Sequence, residues 1–149
     1  MADVILTGFD ELQYAFKAIS SIPLTVSKQA VSAMGEVAKT AIKSEGEAMG
    51  VRDPESGEHI LDNIALSKPK KRKDGVKAFV TFKGVRTRGN TRTWNAAIAY
   101  INEYGAPGPK RRIPARPFIS TAMAKYGDEI SAKADDIIGD WIEKTYGQG

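Results

Sequence analysis

His59 is the only histidine of this 149-residue chain, and it falls among Asp53, Glu55, Glu58 and Asp62. A carboxylate–imidazole group of that kind can relay a proton or hold a cation once its geometry is fixed. Here the neighbours include Asp53-Pro54 and Ser56-Gly57, both turn markers, so the spacing fixes nothing and predicts a solvated loop end. There is no second histidine for a metal pair, and the absence of cysteine excludes disulfides, thiolate ligands and a Cys–His nucleophile. Gly84, Gly89, Gly105 and Gly108 match neither dinucleotide nor P-loop spacing. These residues predict a protein that is not an enzyme and takes no metal or cofactor.

The residues with the strongest chemical bias are basic. Residues 1–67 carry five Lys/Arg against ten Asp/Glu, residues 68–116 carry fourteen against two, and residues 117–149 carry three against six, giving −5, +12 and −3. Lys70, Lys71, Arg72 and Lys73 form one cluster, Arg86, Arg88 and Arg92 a second, and Arg111, Arg112 and Arg116 a third. A basic middle between acidic flanks suits phosphate contact, or one half of a self-complementary surface on which copies stack, or plain solvation. Phosphate contact would be salt-sensitive and nearly indifferent to sequence. Trp94 adjoins the second cluster, but the other aromatics fall at core spacing and offer no ready platform for stacked bases.

The elements that must position these clusters follow from periodicity. After the apolar run Val4–Leu6, Phe9, Leu12, Phe16 and Ile19 predict a short helix that Pro23 closes. A second helix from Leu24 to about Met49 carries Val26, Ala30, Met34, Val37, Ala38, Ala41, Ile42 and Met49 at three-and-four spacing; so many small residues allow close helix packing. Ile60, Leu61 and Ile64 lead into a strand ending at Leu66, Lys68–Gly75 forms a basic tip, and Val76–Lys83 alternates as a half-buried strand with Ala78, Val80 and Phe82 facing one way and Lys77, Phe79 and Thr81 the other. Gly84–Thr93 reads as a second basic loop, and Trp94–Tyr104 as a third strand with Trp94, Ala96, Ile98 and Tyr100 on one face. A last helix runs from Pro117 to about Tyr146, with its stripe from Ile119 through Met123, Tyr126, Ile130, Ala134, Ile137, Ile138 and Trp141 to Ile142. The expected architecture is α+β, one domain over 1–149, with an antiparallel three-stranded meander, two long helices and a short one packed on it, and basic loops at the sheet tips. No apolar run reaches the roughly 18 residues of a membrane span, and the opening Met1-Ala2-Asp3 lacks the order of a signal peptide.

Ile101-Asn102-Glu103-Tyr104-Gly105 ends a strand in this reading, and Ala115-Arg116-Pro117-Phe118 starts a helix. Together they resemble the apolar-x-Glu-aromatic-Gly and Ala-Arg-Pro-Phe signatures of the siphophage tail-completion or head–tail joining (neck) proteins. These are the gene-product-ten-like proteins of lambdoid phages, related to the minor tail protein Z of phage lambda. Gly8-Phe9-Asp10-Glu11-Leu12 is similar to the family's opening, and Ser56-Gly57 followed by Leu61-Asp62-Asn63-Ile64 to its Thr-Gly-x-Leu segment, with three residues between glycine and leucine where one is usual. The resemblance implies a non-enzymatic virion component made in the bacterial cytoplasm. It would join tail or connector proteins in a ring matching the six-fold tail; the basic tips between acidic flanks, with little apolar contact area of their own, predict weak association when free and permit contact with DNA passing through the channel. Beside it stands a structural reading, in which Arg116 pairs with Glu103 and Phe118 fills the core, and an alternative function as a small basic nucleic-acid-binding protein.

Overall fold

The computed structural model describes residues 2–5, 22–51, 59–109 and 112–147. The expected helix over Phe9–Ile19, the segment at Ser56-Gly57 and Arg111 lie outside the described residues.

Helix α1 (Leu24–Ala48) starts directly after Pro23, whose carbonyl accepts the Ser27 amide at 3.0 Å. Its end is a glycine-terminated reversal. Gly50 takes φ +69°, its amide donates to Glu47 O at 3.1 Å, and the Val51 amide reaches back to Gly46 O at 2.9 Å. This 6→1 and 5→2 pair satisfies carbonyls that the helix would otherwise orphan, and it buries Val51. The face of α1 bearing Ala30, Val31, Met34, Ala38, Ala41 and Ile42 is buried. Small residues set its approach distances: a Cβ on Gly35 would lie 2.5 Å from Leu66 Cδ1, and one on Gly46 would lie 2.5 Å from Leu61 Cδ2.

The sheet is centred on β4 (Gly75–Phe82), with β1 (Ala2–Ile5) parallel along one edge. On the other edge β2 (Ile64–Leu66) pairs antiparallel with its second half and β3 (Lys70–Arg72) with its first. Ser67 spans the gap, its amide donating to Phe79 O while its Oγ accepts the Phe79 amide, both at 2.8 Å. Pro69 lacks a ladder donor and sits where the pairing is interrupted. Val76 and Ala78 are buried and Val80 and Phe82 half-buried beneath α1, in the expected phase of alternation. The basic tip is thus narrower than expected: Lys70–Arg72 are strand residues and only Lys73-Asp74 turn. Ile60–Asn63 is a single 3-10 turn, leaving three residues for β2.

The expected third strand is not one. Gly84–Trp94 forms a separate hairpin, β5 (Val85–Arg88) with β6 (Thr91–Trp94), and Asn95–Tyr104 is helix α2. Helical and strand spacing coincide over so short a stretch. Ala96, Ala97 and Ala99 favour the helix, and the residues that face inward are Asn95, Ala99 and Glu103, spaced by four. The meander is therefore replaced by a mixed sheet and a hairpin, and the arginines flanking 95–104 are separated by a helix of about 15 Å instead of an extended strand.

Helix α3 (Phe118–Tyr146) runs antiparallel to α1 and packs along it, burying Phe118, Ala122, Met123, Ile130, Ala134 and Ile138. The fold is α+β, with α1 in contact with both the sheet and α3.

Candidate interaction surface

The two halves of the signature-like stretch meet at one joint. Glu103, 5% exposed at the end of α2, accepts the amides of Ile119 at 2.8 Å and Ser120 at 3.0 Å, and also the Ser120 hydroxyl. Those amides belong to the first turn of α3, which has no side-chain cap from Pro117, so the carboxylate satisfies orphan donors at the positive helix end. Arg116 does not pair with Glu103. Its Nη1 donates instead to Gly50 O at 2.7 Å, beside the negative end of α1, while its amide bonds Asn102 O at 2.6 Å. Phe118 lies beneath, fully buried, edge-on to Phe82 at 6.0 Å between ring centroids. Gly105 makes the reversal after α2: its φ is +75°, and a Cβ there would stand 2.8 Å from Ile113 O. Ala106 and Ile113 then exchange two backbone hydrogen bonds at 3.0 Å, closing the proline-rich crossing at its base.

His59 is also a buried structural residue and not a solvated loop end. It is 2% exposed; Nδ1 accepts the Leu61 amide at 3.1 Å and Nε2 lies 2.9 Å from Val51 O. That pairing fits a neutral imidazole with its proton on Nε2. Its sequence signal was the apolar pair Ile60-Leu61 immediately after it, which carries the chain into the core. Among the described residues, no group of three or more His, Asp or Glu is placed to hold a metal ion.

What remains outside is basic and aromatic. Lys70, Lys71, Arg72 and Lys73 are exposed; the register sets Lys70 opposite Lys77 and Arg72 opposite Gly75, so both lie on the sheet face away from α1, with Phe79. Lys77 is held by Asp74 at 2.5 Å, and that ammonium keeps the Asp74 carboxyl below its ordinary value. In the hairpin, Val85 pairs with Trp94 and Thr87 with Arg92, which puts Arg92 and Trp94 on one face and Arg86 and Arg88 on the other. Arg112 is exposed on the crossing.

Trp94 is 68% exposed, Tyr100 64% and Tyr104 60%, and the two tyrosine rings lie 4.8 Å apart. Reading 94–104 as a strand had put Tyr100 at core spacing, on the face shared with Trp94, Ala96 and Ile98; the helix turns both tyrosines out. The structure thus puts Arg92 on the hairpin face that carries Trp94 and Arg86 and Arg88 on the opposite one, removes Glu103 from the surface, and ties the Arg116 guanidinium to the Gly50 carbonyl just past α1. No family model, curated protein or solved structure matches the chain.

Proposed function

We propose that this chain is a structural, non-enzymatic component of a tailed phage or prophage particle, completing the tail or joining it to the head by protein–protein contacts. One observation carries the reading most: Glu103 and Arg116–Phe118, the two separated parts of the resembled signature, converge on a single joint that fixes the ends of α1, α2 and α3. That joint holds a rigid frame from which the basic hairpin and the aromatic side of α2 project. Exposed Trp, Tyr and Arg are the residue types that most often dominate protein interfaces. The protein would be made in the bacterial cytoplasm, join tail or connector proteins as a ring, and remain in the virion.

A second reading has its own support. Exposed Trp94 with Arg92 on one hairpin face, and the exposed Tyr100–Tyr104 pair on α2, are side chains of the kind that stack bases of a single-stranded nucleic acid, which would make the chain a small basic nucleic-acid-binding protein.

Deletion of the gene from a phage or prophage that carries it, followed by complementation and electron microscopy, tests the first reading. Heads and tails should accumulate separately without the chain, and the native chain should restore joined particles. Charge reversal at Arg86 and Arg88 should leave the parts unjoined. Normal yield from the deletion would end the phage-assembly reading, and retention of labelled oligonucleotide with a steep salt dependence would favour the second.

A further inference from the structure

We propose that copies of this chain bind one another head to tail, Trp94 on the hairpin of one copy seating in the groove between α1 and α3 of the next.

The groove has an apolar floor and an acidic rim. Val37, Ala41 and Tyr126 line it, and the exposed carboxylates Glu36 and Glu129 stand at its edges. It is open to solvent along one side, and its volume, about 330 Å³, leaves room for one large side chain to lie in it. The nearby Lys125 is directed to Glu45 at 2.8 Å, so it does not cancel the rim. The projecting part has the opposite character: an indole mostly in water, with Arg92 two residues away on the same hairpin face. An indole buries about 150–250 Å² when fully enclosed. Apolar meets apolar at the centre, and cation meets carboxylate at the edge.

The occupant is a second copy because the two halves are complementary in both respects and are carried by different elements of one chain. A contact between unlike surfaces of identical subunits is heterologous and propagates, closing into a ring when the rotation per step permits. One indole and its rim charges make a contact well below the area of a stable dimer, so the association is weak and salt-sensitive. The proposal extends the assembly reading above, supplying its subunit contact, but does not depend on it for its test.

Sedimentation of the purified full chain at low salt should show a weight-average mass rising above the 16.2 kDa of one chain as concentration increases, and falling back when salt is added. Trp94→Ala with Arg92→Ala removes the projecting half, and Glu36→Lys with Glu129→Lys reverses the rim; all four positions are exposed, so melting curves should stay close to native. Each double variant should associate at least about tenfold more weakly than the native chain. Mixed together, they should form a dimer of one each and stop, because one variant keeps the groove and the other keeps the tryptophan.

A native chain that stays monomeric to millimolar concentration overturns the proposal. So does association untouched by both variants, or a mixture with no new species. Loss of single-stranded oligonucleotide binding by the Trp94 variant, from a native chain that remains monomeric, would give this surface to nucleic acid instead. Failure of phage complementation alongside the expected heterodimer would end the assembly reading and leave this contact standing.

Discussion

At the scale of single residues, the joint between α2 and α3 is where small changes should have large effects. Glu103→Ala would leave the Ile119 and Ser120 amides without their acceptor and should destabilise by about 2 kcal/mol. Phe118→Ala, which empties a site beside Gly46 of α1 and Phe82 of β4, should cost about 3–5 kcal/mol. Urea unfolding would check both, and a near-native midpoint for Glu103→Ala would show that water caps α3 as well as the carboxylate does. Lys125 gives a pH test. Its hydrogen bond to Glu45, and then the charge of that carboxylate, raise the ammonium above its ordinary 10.5. Stabilisation from a raised basic group is complete below the unfolded value and is lost as pH climbs through the folded one. The Lys125→Met variant should therefore differ from native at neutral pH and converge with it in strongly alkaline solution, as read by thermal melts.

At the scale of elements, glycines in helices separate packing from propensity. Gly127 and Gly139 in α3 have open space where a Cβ would go, so alanine at each should stabilise by about 0.5–1 kcal/mol. At Gly46 the same gain is opposed by Leu61 and Phe118, both buried, and overpacking of about 1–3 kcal/mol should win. Calorimetry that found Gly46→Ala as stable as Gly127→Ala would mean that Leu61 repacks freely. The same elements show what was legible in the chain. α1, β4 and α3 were readable to within one residue at each described end because long stretches of consistent period outweigh local ambiguity. α2 was misread since its inner positions, Asn95, Ala99 and Glu103, are small or polar while its aromatics face water, an inversion of the usual pattern. The parallel pairing of β1 depends on contacts some seventy residues away, which no local pattern encodes. Of the candidate site, the basic residues were visible as a charge bias; the aromatic face was not, because it exists only once 95–104 is a helix.

At the scale of the whole molecule, charge and framework are separable. Neutralising Lys70, Lys71, Arg72 and Lys73 together should leave the melting temperature almost unchanged, since exposed charges contribute little to stability. An unfolded product would mean that β3 is held by those side chains and not by its pairing with β4. The surface therefore has room to be altered while the core stays intact, and the molecule carries its own means of telling the two apart. Its two tryptophans lie in contrasting surroundings: Trp94 stands in solvent on the hairpin, whereas Trp141 is half-buried in α3 with its ring 6.0 Å from that of Tyr146. Replacing either by phenylalanine would leave a single tryptophan, one whose emission and acrylamide quenching report on what touches the outside, the other on whether the last turns of α3 stay folded. Recognition and unfolding can thus be observed as two independent optical signals from an unlabelled chain.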